Sequence, residues 1–272
     1  MNVVDEFLTL LAQRPGVLVR VARAEGSVPR EPGAWMAVWA EGITGTVGGG
    51  HLEFEAIAHA RQMLAGDASP AERRFPLGPA LGQCCGGVVH LSFDVVRSVD
   101  SVRLREILSE DYVPVALFGG GHVGTALVGV LATLPLKVTW VDSRDEIFPP
   151  GMPSAAPSNV LCEHSSPVHA AVDTLAPQSR VLIMSFSHAE DLDVVAACLK
   201  RLRERDDLPY IGLIGSKTKW ATFRHRLQAR GYTDAELDRV TSPIGVPGIG
   251  GKEPQVIAVA VAAQILQTLP QR

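Results

Sequence analysis

Apolar positions follow two different patterns along the 272-residue chain, and they change over near residue 100. In the first part Val4, Phe7, Leu8 and Leu11 repeat at helical spacing, and GVLVRVARAEGS, AWMAVWAEG and ITGTVGG then read as short strands with glycine turns between them. A helix is predicted over about His51–Leu64. It is succeeded by a proline- and glycine-rich stretch to Gly87 and a β-branched run, VVHLSFDVV. This part is expected to form a small α+β domain over residues 1–97, and the polar residues 98–112 are expected to link it to a second, C-terminal domain. From residue 113 short apolar runs alternate with helical segments. Strands are predicted at 113–118, 137–141, 180–185 and 209–214, and helices at about 122–133, 189–204, 217–230 and 254–269. The chain is therefore of the α/β class, with a C-terminal Rossmann-like parallel sheet over 113–272 and a smaller N-terminal α+β domain. Ligand contacts are expected at the C-terminal ends of the parallel strands.

The first of those strands runs directly into Gly119-x-Gly121-x-x-Gly124, and the second ends on Asp142, eighteen residues after Gly124. Strand, glycine turn, helix, strand and acid in that order define a dinucleotide-binding βαβ unit. The glycines allow a tight turn, a close approach of backbone to an anion, and a helix packed near its strand; amides at the positive end of that helix then hold the anion. Without a ligand, the same glycines would only let a helix pack on a sheet.

Other motifs carry less decided chemistry. Cys84 and Cys85 are adjacent within LGQCCGG, a spacing poorly suited to one zinc ion. They read either as mobile thiols near backbone amides, suited to sulfur or metal-ligand chemistry, or as small buried hydrophobes. Gly48-Gly49-Gly50-His51 repeats the GGGH string of residues 119–122 without repeating its flanks, and reads as a strand-to-helix corner or a second anion cradle. Arg30, between two prolines, is suited to pairing with a carboxylate or phosphate, or is a surface charge in a turn. Ser187-His188-Ala189-Glu190-Asp191 and Gly215-Ser216-Lys217 follow parallel strands, where ligand contacts are expected; Ser187 or His188 would otherwise cap the next helix. Gly250-Gly251-Lys252-Glu253-Pro254 fails the Walker pattern, because Val246 stands where a glycine is needed and Glu253 replaces the Ser or Thr.

Charge narrows the partners. The net charge is −4, and the one dense basic cluster, Lys200, Arg201, Arg203 and Arg205, is offset by Glu204, Asp206 and Asp207. It reads as basic side chains at a negative helix terminus, so no nucleic-acid partner is expected. The N-terminus lacks a cationic region before its apolar helix, and no apolar run reaches membrane-spanning length. A cytoplasmic protein with four free thiols and no membrane contact is expected.

GSVPREPGAWM, GTVGGGHLE, LGQCCGG, FGGGHVG with VDSRDEIFP, IGSKTK and SPIGVPGIGGKEP together resemble the xanthine dehydrogenase accessory protein XdhC family, in order and over about residues 20–265. Maturation factors of aerobic carbon monoxide dehydrogenase are similar. The resemblance implies a homodimeric chaperone that binds molybdenum cofactor, as molybdopterin or its dinucleotide form, and protects it. It further implies support of the cofactor's sulfuration with a cysteine desulfurase and delivery to a molybdenum hydroxylase such as xanthine dehydrogenase. On this basis Gly119, Gly120, Gly121, His122, Gly124, Asp142, Ser216 and Lys217 are candidate cofactor contacts, and Cys84 and Cys85 are candidate cofactor and metal ligands. Asp142 fits least simply, because its usual partner is a ribose hydroxyl, which only the dinucleotide form has. The competing function is an NAD(P)-dependent oxidoreductase using the GGGHVG turn, for which His188 is the one candidate proton donor.

Overall fold

The computed structural model describes residues 3–67, 70–77, 86–109, 112–149 and 157–270, in two compact units that divide near residue 110. Cys84 and Cys85 lie outside the described residues.

The first unit contains α1 (Val3–Leu11), β1 (Gly16–Glu25), β2 (Trp35–Val38), β3 (Ile43–Gly45), α2 (Gly50–Leu64), β4 (Glu72–Pro76), β5 (Val88–Val96) and α3 (Ser101–Ser109). Its five strands form an antiparallel sheet in the order β3-β2-β1-β5-β4. Alternation along β1 puts Val17, Val19 and Val21 into one core with Leu52, Ala56 and Ala60 of α2. The helical repeat of α1 buries Val4, Phe7, Leu8 and Leu11, with Phe7 against the rings of Trp35 and Trp39. Residues 101–109, expected as part of a linker, form α3, and Arg105 on it pairs with Asp5 of α1 at 3.0 Å. Strand β4 had no sequence signal, since three of its five residues, ERRFP, are charged and only Phe75 is buried. That composition suits an edge strand.

The second unit contains β6 (Val113–Phe118), α4 (His122–Leu131), β7 (Leu136–Asp142), β8 (Val160–His164), β9 (Arg180–Ile183), α5 (His188–Arg205), β10 (Tyr210–Leu213), α6 (Lys217–Ala229), α7 (Asp234–Leu237), β11 (Val240–Thr241) and α8 (Pro254–Gln267). All six strands are parallel, in the order β11-β10-β9-β6-β7-β8. The sheet grows outward from β6 in one direction and from β9 in the other, so the order reverses between these two neighbours. A doubly wound sheet opens its ligand crevice at that point. Phe118 is in register with both Val141 and Ile183, so the loops after β6, β7 and β9 leave the sheet side by side. One face of the sheet packs on α5 and α6, the other on α4 and α8. Pro254 begins α8, where its missing N–H leaves no helical bond unmade.

The basic run at the end of α5 is not uniformly superficial. Arg201 is 1% exposed and sends Nε and Nη2 to Asp207, at 2.9 and 2.6 Å, while Nη1 and Nη2 reach the carbonyls of Val172 and Leu175.

Candidate functional site

The turn after β6 requires its glycines for separate reasons. Gly119 has φ +123°, and a Cβ there would stand 2.0 Å from the Met184 carbonyl oxygen on the loop after β9. No L side chain fits that position. A Cβ on Gly124 would stand 2.0 Å from the Gly119 carbonyl oxygen, so this third glycine sets how closely α4 approaches the turn. That same carbonyl accepts the Trp140 indole N–H at 3.0 Å. Gly121 is different: it occupies the N-cap of α4, offers no side chain to cap the helix, and has nothing within 4 Å of its Cβ direction. His122 is the exposed first residue of the helix.

The N-termini of α5 and α6 also come after parallel strands, but both are capped by the chain itself. Ser187 Oγ accepts the Glu190 amide at 3.2 Å, and Ser216 Oγ accepts the Lys219 amide at 3.1 Å. Ser216 and Lys217 lie at the end of β10, which is separated from β6 by β9, and His188 is set edge-on to Phe223. Among these three helix ends, only that of α4 has no side-chain cap, and its amides are left for an outside acceptor.

Asp142, at the end of β7, is 2% exposed and turned toward the chain itself. Oδ2 accepts the Gly120 amide at 2.6 Å and Arg144 Nη2 at 2.9 Å; Oδ1 accepts the amide and Nε of Arg144, both at 2.9 Å. Four donors use the lone pairs of a carboxylate. Burial pushes this carboxyl upward, but the bonds from the Arg144 side chain and backbone and from Gly120 outweigh it and hold the group below its ordinary value. Asp142 therefore fixes the glycine turn and Arg144 together. The guanidinium in turn lies over the ring of Phe186, with Cζ 4.7 Å from its centroid.

Sequence reasoning passed over Arg144, Phe186 and Lys219, and reached Asp191 only as the last residue of the motif after the third parallel strand. Lys219 Nζ donates to Asp191 Oδ2 at 2.6 Å and to the Ile214 carbonyl at 2.9 Å, and Asp191 Oδ1 accepts the Ser185 amide at 2.7 Å. This pair ties the loop after β9 to the loop after β10. Its signal was present in two motifs of the chain, the acid in Ser187-His188-Ala189-Glu190-Asp191 and the second lysine of SKTK. Arg144 had a signal too, as a cation two residues beyond the strand-end acid.

The other GGGH string is a closed cradle. Gly48, Gly49 and Gly50 all have positive φ, and the amides of Val47, Gly48 and Gly49 converge on Glu53 Oε1 at 3.0, 3.2 and 2.8 Å, joined by the Thr46 hydroxyl. Burial raises the Glu53 carboxyl, and the Thr46 hydroxyl with these amides brings it below its ordinary value. Both sequence alternatives apply here, for the corner is an anion nest whose anion is the chain's own. Among the described residues no group of three or more His, Cys, Asp or Glu could hold a metal ion, and no helix is long and apolar enough to cross a membrane.

An uncapped glycine turn at the reversal point of a doubly wound sheet defines a Rossmann-type protein, here carrying an antiparallel N-terminal unit. Residues 115–265 match the XdhC Rossmann domain, and residues 10–75 match the XdhC and CoxI family; the chain belongs to this family. It is similar to the uncharacterized protein YqeB of Escherichia coli K12, with 30% identity over 279 aligned positions covering 98% of this chain. The chain spans 46% of the length of that relative. Its fold is that of a Bacillus halodurans crystal structure described as a xanthine dehydrogenase, with a TM-score of 0.72 and 19% identity over 98% of this chain and 96% of the other.

Proposed function

We propose that this protein is an accessory chaperone that binds molybdenum cofactor, supports its sulfuration together with a cysteine desulfurase, and delivers it to a molybdenum hydroxylase of the xanthine dehydrogenase type. The observation that carries this reading is the α4 N-terminus, where Gly121 leaves space and uncapped amides while the helices on neighbouring strands are closed by Ser187 and Ser216. A terminal phosphate suits that cradle in charge and size. Membership of the XdhC family supports the choice of a phosphate-bearing molybdenum cofactor over other anions. When bound, the cofactor would bring the redox-active metal and its sulfur ligands; the chain's own part is to hold the phosphate at the uncapped α4 N-terminus that begins at Gly121, with the Gly119 and Gly120 amides tied to Val141 and Asp142 to keep the turn rigid. Cys84 and Cys85 are proposed as the thiols that meet the metal end, and a homodimer as the working form. The engagement of Asp142 with Gly120 and Arg144 favours a carrier over a nicotinamide enzyme, since no acceptor is left for a ribose hydroxyl.

The test is transfer. Protein loaded with molybdenum cofactor is mixed with cofactor-free molybdenum hydroxylase, a desulfurase and a sulfur source, and activation is compared with an equal amount of free cofactor. Activation should exceed that of free cofactor, and Gly121→Asp, which puts a carboxylate where the phosphate sits, should lower cofactor affinity on the order of tenfold or more. Activation no better than free cofactor would remove the chaperone function. Hydride transfer from NADH or NADPH by the chain alone would put the oxidoreductase in its place.

A further inference from the structure

Phe186 is 67% exposed, on the loop that leaves β9 beside the glycine turn. An apolar residue just before a helix N-cap ordinarily staples onto the fourth helical residue, but here that residue is Asp191, buried in its pair with Lys219. The ring therefore has no such packing partner to account for it. It meets instead the Arg144 guanidinium, 4.7 Å from the centroid, and that group is held in place by two bonds to Asp142. Asp142 also holds the Gly120 amide at 2.6 Å. One carboxylate thus connects the phosphate cradle to an exposed aromatic ring backed by a fixed cation.

We propose that Phe186, backed by Arg144, is a stacking platform for a planar heterocycle of the ligand whose phosphate sits at the α4 N-terminus beginning at Gly121. The choice of a pterin as that ring rests on the cofactor function proposed above; the platform itself rests on exposure and geometry. An aromatic face attracts a flat, electron-poor bicycle without reading its edges, and the cation on the other side keeps the ring from turning. Arg144 is a positioning residue in this arrangement, and Phe186 makes the contact.

The experiment uses the full chain and two separate probes, 6-hydroxymethylpterin, whose fluorescence is quenched on stacking, and inorganic pyrophosphate, tracked by calorimetry. Wild-type protein should quench the pterin. Phe186→Ala and Phe186→Leu should both weaken quenching on the order of tenfold, as expected for one aromatic stacking contact, while pyrophosphate affinity stays unchanged. Phe186→Trp should restore quenching. Gly121→Asp should do the reverse, losing pyrophosphate and keeping the pterin. Quenching by Phe186→Leu equal to wild type, or absent in wild type, overturns the platform and leaves the turn to be judged by pyrophosphate alone. Loss of both probes in the Phe186 variants also overturns it, because the residue would then be holding the loop and not the ligand.

Discussion

Two glycines on α4 separate the geometric argument for the turn from any general effect of glycine in a helix. At Gly124 a Cβ would lie 2.0 Å from the Gly119 carbonyl oxygen, whereas at Gly129, one and a half turns on and exposed, nothing lies within 4 Å. Alanine is the better helix former by about 1 kcal/mol at either position. At Gly124 that gain is set against overpacking of about 1–3 kcal/mol, since helix and turn must separate by roughly an ångström. The displaced carbonyl is also the acceptor for Trp140 Nε1, and loosening that buried bond costs about 1 kcal/mol more. Gly124→Ala should therefore destabilise the second unit by about 1–3 kcal/mol and Gly129→Ala stabilise it by up to about 1 kcal/mol. Urea unfolding monitored by tryptophan fluorescence, to which buried Trp140 beside the turn contributes along with Trp35, Trp39 and Trp220, reads both changes as shifts in the midpoint of the second unit's transition at constant slope. Equal midpoints for the two variants, or Gly124→Ala at or above wild type, would refute the reasoning about the turn.

Three further outcomes are expected. Arg201→Ala leaves Asp207 and the carbonyls of Val172 and Leu175 without their donor, and should cost about 3–5 kcal/mol in the same urea assay; a loss under about 1 kcal/mol would contradict the buried pairing. The Cys198 thiol, fully buried and pushed up to about 12, should escape iodoacetamide at about pH 8 in the native protein and be labelled once unfolded, as read by peptide mass; rapid native labelling would place it elsewhere. The Glu53 carboxyl is lower in the folded chain than its ordinary value of 4.5, so its contribution to stability is complete above that value and is lost as pH falls through the folded one. Glu53→Gln should accordingly be less stable at neutral pH and flatten the acid limb of stability against pH, and an unchanged limb would show that the amides do not hold this carboxylate.

The parallel strands that were legible, such as VPVALF and KVTWVD, are continuous apolar runs ending at glycine or acid, which is how strands buried on both faces read. Strand β8 was missed because Val160–His164 buries chiefly Val160 at the sheet edge, and α3 because Ser101–Ser109 is polar along most of its length. The glycine turn was visible because each glycine answers a steric demand that no other residue meets. The direction of Asp142 was not, because it depends on Arg144 folding back onto the acid. Phe186 between two serines has the composition of a core residue, and only its exposure distinguishes it. The family resemblance was carried by motif order, and the family match confirms it.

The chain spells GGGH twice and uses it in opposite ways. At residues 48–51 three left-handed glycines curl the chain so that the amides of Val47, Gly48 and Gly49 meet at one point, and the residue two beyond His51 is Glu53, which fills it; at residues 119–122 only Gly119 is left-handed, and the residue two beyond His122 is Gly124. Glycine and glutamate codons can differ by a single base. The two turns thus differ at that position by one carboxylate side chain, and α4 would have to draw back from the Gly119 carbonyl before residue 124 could carry it. A lineage could recruit a structural corner as a binding turn, or retire a binding turn into a corner, while the four letters by which either would be recognised stay the same.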